Sequence, residues 1–257
     1  MKNSTLQYLI IFILLFSAGS REMMMAQTDE REIFREAAGM KSLIYRGTMA
    51  PEYNFRYNGH CYAQTQEFLE GSIMYNDRLY ENVLLNIDAS ADLMLVRHMI
   101  AMSLVGDYVD YAVIGGERYV NLEYKGRFKG APHGFCKELF SSENIKFYSK
   151  VSKILSSDEG YHNGKDIGYE DPWYNEYVET PSGNLKVLKY FRYVVKYYVV
   201  YDSQAVQIRN KKSFLKLFSK QEAAELRHYA TSRGLNSTDT SLEEYVCAVL
   251  SYLEEKK

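Results

Sequence analysis

The sequence predicts a β-rich α+β fold in which antiparallel hairpins form a sheet or sandwich and a helical pair follows at the C-terminal end. The 257 residues include 24 Tyr, a residue that favours the half-buried surface of a sheet. Two segments alternate apolar and polar residues around a two-residue turn, at Asn76-Asp77 and at Gly115-Gly116. From about residue 209 the apolar spacing changes to the helical period.

The first 26 residues have the pattern of a secretory signal peptide. Lys2 supplies a basic start, and the apolar run 9–16 is too short for a membrane span, which takes about 20 residues. Small residues offer cleavage sites near Ala18 and at Ala26, and Ala26 is preferred because a polar segment follows it. An uncleaved N-terminal anchor is the alternative. We expect an exported protein that is periplasmic or associated with the outer membrane.

The remaining chain is long enough for a full hydrophobic core. We expect an antiparallel β-rich body over residues 27–208, with a loop insertion at 156–184, and a C-terminal helical segment at 209–257 that packs on the body. The formal net charge is −2, with 31 basic and 33 acidic residues. This even balance gives no electrostatic case for a nucleic-acid partner.

Residues 29–38 are predicted to form a short helix, which Thr28 or Asp29 caps and Gly39 ends. In the first hairpin, the turn at Asn76-Asp77 places Tyr75 opposite Arg78, and Ile73 opposite Tyr80. Strict alternation then assigns residues to two faces. The core face would hold Met74, Leu79, Val83, Leu85 and Ile87, and the more polar face would hold Tyr75, Arg78, Tyr80, Asn82 and Asn86.

The later segments predict further strands. Residues 88–92 form a turn before a strand at 93–96, and the second hairpin is expected to be half-buried. Its apolar face would hold Val109, Tyr111, Val113, Val120 and Leu122. Strands are also expected at 145–151 and, as the longest candidate, at 185–201.

The C-terminal segment carries helix start and stop signals. Helical structure starts at 211–218, and Ser219 with Glu222 forms a capping box for a helix that Gly234 ends. Thr240 with Glu243 repeats the capping signal. An apolar stripe follows at helical spacing, formed by Leu242, Tyr245, Val246, Val249, Leu250 and Leu253.

Three cysteines allow two interpretations. Cys247 fits a buried free thiol in the last helix. Cys61 and Cys136 could form a disulfide, or could meet His60 or His133 in a thiol or metal site, since such sites form in space and not in sequence. The structural alternative is that these residues are buried separately. The sequence therefore assigns no catalytic residue, no metal site and no cofactor.

Two other motifs resemble known sites. Asp88, Ser90 and Asp92 match the opening of a calcium loop, but Leu93 stands where that loop needs Gly, so we expect a polar turn. A basic stretch at 209–220 is expected to be the solvated face of a helix. It could also make peripheral contact with a membrane surface.

The most suggestive segment is 160–177, which is irregular and contains the one Trp of the chain. Aromatic rings beside carboxylates can hold a sugar or peptide by stacking and hydrogen bonding. The alternative is that these rings cover the sheet. The predicted ligand-binding residues are Tyr161, His162, Asp166, Asp171, Trp173, Tyr174 and Tyr177.

The spacing Gly71-x3-Tyr75-x4-Tyr80-x2-Val83, and the tail Ser213–Phe218 with its capped helical pair, resemble exported proteins of Bacteroidetes bacteria. That resemblance implies a cell-envelope protein and carries no catalytic residue. We therefore expect a non-enzymatic binding or assembly module whose partner is an envelope protein or a glycan. An exported hydrolase with a Cys/His site is the alternative.

The signal peptide yields a direct prediction. Protein recovered from the periplasm or outer membrane should have the intact mass of a chain cleaved near Ala26, because a signal peptidase removes the export signal. A mass that retains residues 1–20 would contradict cleavage.

Overall fold

The computed structural model describes residues 43–53, 57–157 and 189–256. The predicted signal peptide, the helix at 29–38 and the segment 160–177 lie outside these residues. Chain contacts divide the protein into two units, Met1–Arg46 and Gly47–Lys257. The described part of the first unit contains a single 3-10 turn, Leu43–Tyr45. All other described elements belong to the second unit.

Within the described residues, twelve strands form one sheet and three α-helices follow it, which confirms the β-rich α+β fold. The strands are β1 Thr48–Met49, β2 Tyr57–Asn58, β3 Leu69–Tyr75, β4 Arg78–Asp88, β5 Leu93–Arg97, β6 Ala101–Ser103, β7 Val109–Ile114, β8 Glu117–Asn121, β9 Phe135–Ser141, β10 Ile145–Ser157, β11 Lys189–Tyr201 and β12 Gln204–Ile208. The helices are α1 Lys211–Leu215, α2 Lys220–Ser232 and α3 Leu242–Glu255.

The strand order is β1-β6-β5-β4-β3-β7-β8-β9-β10-β11-β12, with antiparallel neighbours throughout this path. β2 pairs with β11 in parallel, so the sheet is mixed. Within the described ranges, none of the helices has the length and apolarity needed to cross a membrane.

The first hairpin has the predicted turn and register near its tip. Asn76 and Asp77 both adopt positive φ, and Tyr75 lies opposite Arg78. A bulge then interrupts the pairing, because Ile73 pairs with Tyr80 whereas Gly71 pairs with Val83. The extra residue of β4 reverses the alternation of its faces.

The predicted core face of this hairpin is therefore wrong near the turn. Ile73 and Tyr75 are buried, together with Val83, Leu85 and Ile87, whereas Leu79 is 44% exposed and Met74 is half-buried. The bulge residue Asn82 has a φ of 53°, which the alternation pattern cannot reveal. Asn86 was predicted on the polar face but is buried, and its Nδ2 donates to the carbonyls of Thr65 (3.0 Å) and Glu67 (2.9 Å).

The second hairpin has the predicted turn and pairing. Gly115 and Gly116 adopt positive φ, and Tyr111 lies opposite Val120. The predicted faces hold only in part, because Ala112, Ile114 and Tyr119 on the other face are buried, whereas Tyr111 and Val113 of the predicted apolar face are half-buried. It is a central part of the sheet, between β3 and β9.

The two longest strands are β10 and β11. β10 extends beyond the predicted 145–151 to Ser157, which is two residues into the range predicted as an insertion. β11 begins at Lys189 in the described residues, and it is buried on both faces at Tyr198, Val199 and Val200.

β10 continues past the first residue of β9. The turn after β4 lies against the edge of β10 in this extension. The backbone N–H of Lys153 donates to the carbonyl of Ala89 at 2.9 Å. The Lys150 ammonium forms an ion pair with the Asp92 carboxylate. Four strands separate β4 from β10 in the sheet order, so the sheet must curl to bring these residues together.

The helices begin and end largely where predicted. Ser219 and Glu222 form the capping box of α2. Gly234 has a φ of 70°, and Leu235 N–H donates to the carbonyl of Ala230 at 2.9 Å, as expected for a glycine-terminated helix. The start of α3 lies one residue later than predicted, because Ser241 and Glu244 form its capping box in place of Thr240 and Glu243.

The α3 stripe packs on the sheet, as predicted. Tyr245, Val246, Val249 and Leu250 are buried, and Leu242 and Leu253 pack at the margin of the same cluster. The sheet contributes Ile145, Phe147, Val199 and Ile208 to this cluster. The helical segment therefore shares one core with β10, β11 and β12.

Replacing a central residue of the stripe should lower stability. Leu250 is 0% exposed, so Leu250→Ala should reduce the free energy of unfolding by about 2–5 kcal/mol through lost burial and a residual cavity. Leu79→Ala is the matched control at an exposed position, and should change it by about 1 kcal/mol or less. Equal effects of the two variants in chemical denaturation would show that the stripe is not core.

Candidate functional site

The residues predicted as a ligand platform lie outside the described residues. These residues are Tyr161, His162, Asp166, Asp171, Trp173, Tyr174 and Tyr177. The described residues contain a polar cavity of about 200 Å³. It is lined by Asp92, Gly106, Asp107, Asn121, Glu123, Tyr124, Lys125, His133, Gly134 and Phe135.

Asn121, the last residue of β8, holds two walls of the cavity together. Its Nδ2 donates to the carbonyl of Gly106 at 3.1 Å, and its Oδ1 accepts from the backbone N–H of Glu123 at 3.1 Å. Both sides of the amide are used internally, so Asn121 fixes the positions of the loop before β7 and the loop after β8.

A histidine and a carboxylate meet at the solvent side of the cavity. His133 Nδ1 lies 2.9 Å from Glu123 Oε2, and the His133 side chain is 78% exposed. The two residues come from opposite ends of the loop that joins β8 to β9. Their contact closes this loop over one side of the cavity.

Lys125 is held at the rim by a carboxylate outside the cavity. Its Nζ lies 2.8 Å from Asp77 Oδ1, and the Tyr124 hydroxyl donates to the same oxygen at 2.9 Å. The hydrogen bonds from Lys125 and Tyr124 lower the pKa of Asp77 below its usual value. The Lys125 charge is therefore already balanced.

The lining residue Asp92 forms an ion pair with Lys150, which lies behind the cavity wall and does not line it. Lys150 is 5% exposed, and Gly134 lies directly over the pair. A Cβ at Gly134 would lie 2.5 Å from Lys150 Nζ and 2.7 Å from Asp92 Oδ1, and the φ of Gly134 is +81°. Only glycine fits at this position without displacing the pair.

The electrostatic balance of the cavity is negative. Lys150 balances Asp92, and Lys125 is paired with Asp77. Asp107 is exposed and forms no ion pair with any described residue. The Asp107 carboxylate, and the Glu123 oxygen that does not contact His133, suit a ligand that donates hydrogen bonds or carries positive charge. No group of three or more metal-ligating side chains occurs among the described residues.

The cysteines do not form the disulfide that the sequence allowed. All three lie in the described part of the chain, and all are free thiols. Burial raises the pKa of Cys61 to about 12, and the negative charge of Asp88 is the second cause of this shift. Burial also raises the pKa of Cys136 to about 12. Burial also raises the pKa of Cys247 to about 11, and this residue is half-buried where full burial was expected.

These thiols are poorly suited to nucleophilic chemistry, because the thiolate is the reactive form. Cys136 is buried in a cluster with Val120, Tyr148 and Val200, whereas His133 points to solvent and contacts Glu123. The His60 ring lies 6.0 Å from the Tyr62 ring. His162 lies outside the described residues.

The turn at Asp88 has the structure that its sequence predicts. Asp88 Oδ1 accepts from the backbone N–H groups of Ser90 (2.8 Å) and Ala91 (3.0 Å), which is an Asx turn. Its Oδ2 accepts from the Tyr53 hydroxyl at 2.8 Å. Burial, together with this hydrogen bond to Asp88, raises the pKa of Tyr53.

Two cavity residues were singled out in the sequence, His133 for a thiol or metal site and Asp92 for a polar turn, but the cavity itself was not predicted. Asp107, Asn121 and Glu123 are single polar residues at strand ends, without a motif that links them. The one available signal was Gly134 beside His133, a glycine in a loop that closes onto a polar site. Comparisons of the chain with known protein families, curated proteins and solved structures found no match.

Proposed function

We propose that this protein is an exported, non-enzymatic binding module of the cell envelope, and that it binds a small polar ligand in the cavity beside Glu123. The cavity itself, about 200 Å³ and lined by Asp107, Glu123 and His133, is the observation that carries the proposal. The signal-peptide pattern and the resemblance to exported Bacteroidetes proteins support the location.

The lining favours an amino sugar, which is a glycan component. Its ammonium group would lie between Asp107 and Glu123, the carboxylates that no lysine balances. Its hydroxyl groups would donate to the remaining carboxylate oxygens. Cavities for drug-sized ligands start at about 300 Å³, so this smaller cavity suits a single sugar ring.

The burial and raised pKa values of the cysteines favour a binding role over the hydrolase alternative. Cys61 and Cys136 are buried, and both have raised pKa values, whereas a catalytic cysteine needs an accessible thiolate. In addition, none of the described residues that line the cavity offers an exposed hydroxyl or thiol nucleophile.

Calorimetric titration with three sugars tests the proposal. Glucosamine should bind, glucose should bind more weakly, and glucuronate should not bind, because the lining repels a carboxylate. Glu123→Gln and Asp107→Asn should each weaken glucosamine binding by about tenfold or more, as for the loss of a charged hydrogen bond. Glu143→Gln, an exposed residue of the β9–β10 turn, is the matched control.

Two results would overturn the proposed site. One is that none of the three sugars binds the folded mature protein. The other is that glucosamine binds equally well to the wild type and to both cavity variants.

A further inference from the structure

A cationic surface lies between the last strand and the second helix, outside the cavity. It consists of the exposed residues Arg209, Lys212, Lys216 and Lys220. No acidic residue occurs between Asp202 and Glu222. The surface therefore combines four positive charges with no neighbouring negative charge in its own segment.

None of these four side chains has a carboxylate partner among the described residues, and they follow one another within twelve residues of the chain. Within the described residues, none of the four forms an ion pair. Six other lysine and arginine side chains of the described residues do form ion pairs, namely Lys125–Asp77, Arg127–Asp110, Lys137–Glu117, Lys150–Asp92, Arg118–Glu138 and Lys256–Glu225. Unbalanced charge concentrated in one segment suits an anionic partner.

The fold holds this segment in a fixed position. Phe214 and Leu215 of α1 are buried, and the Phe214 ring makes edge contacts with the rings of Phe218 (5.3 Å) and Tyr245 (6.3 Å). Lys212 and Lys216 are four residues apart, so they project from the same side of this helical turn. Packing of the apolar side leaves the cations directed to solvent.

Among the basic residues of the stretch 209–220, Lys211 has a structural role. Its Nζ donates to the carbonyls of Leu235 (2.8 Å) and Ser237 (3.0 Å) after the end of α2. Lys211 thus anchors the loop before α3. The four cations of the surface have no such contact.

We infer that the cationic surface binds anionic lipid headgroups at a membrane surface. Nucleic acid is a poorer fit, because binding of single strands uses exposed aromatic rings between the cations, whereas Phe214 and Phe218 pack into the core. The chain's net charge of −2 does not prevent the contact, because charges more than about 8 Å from the membrane are largely screened at physiological salt.

Sedimentation with lipid vesicles tests this inference. The mature protein should bind phosphatidylcholine vesicles that contain phosphatidylglycerol, and should not bind pure phosphatidylcholine vesicles. Each cation near an anionic surface contributes about fivefold to partitioning, so Lys212→Gln with Lys216→Gln should weaken binding by about thirtyfold. High salt should release the wild type.

The matched control removes the same charge elsewhere. Arg192→Gln with Lys196→Gln alters two exposed cations of β11 and should leave vesicle binding unchanged. Equal binding to charged and neutral vesicles, or equal losses in the two double variants, would overturn the inference. Binding to DNA oligonucleotides without binding to charged vesicles would overturn it as well. None of these outcomes depends on the sugar cavity.

Discussion

The contact between the edge of β10 and the turn after β4 is the constraint on which the rest of the structure depends. Lys153 donates its backbone N–H to Ala89, and Lys150 forms its ion pair with Asp92. Without this contact the edge of β10 beyond β9 would be unpaired, and an unpaired strand edge favours association with other chains. The contact uses the part of β10 that β9 does not cover. It buries the Lys150 ammonium, whose charge the Asp92 carboxylate balances.

The same contact connects the fold to the proposed function. It places Asp92 beside Gly134, and both residues line the cavity together with Glu123 and His133. The helices pack on a separate cluster with β11 and β12. Ligand binding in the cavity and membrane contact through the cationic surface could therefore occur in one molecule without competing for residues.

Local patterns in the sequence predicted local structure well. The hairpin turns at Asn76-Asp77 and Gly115-Gly116, the capping box at Ser219 and the α3 stripe depend on neighbouring residues, and all are present. The bulge at Asn82 was missed, because one added residue reverses a face without changing composition. The Lys150–Asp92 pair was missed because 58 residues separate its members and only the curl of the sheet brings them together.

A double-mutant cycle on the Lys150–Asp92 ion pair tests the sheet-closing contact most directly. Asp92→Gly keeps the positive φ of this position but leaves the buried Lys150 ammonium unpaired. It should reduce the free energy of unfolding in chemical denaturation by about 3–5 kcal/mol, and adding Lys150→Met should restore much of the loss, because the unpaired charge is removed. A stable Asp92→Gly variant, or a double variant whose loss equals the sum of the single losses, would contradict a closing role for this pair.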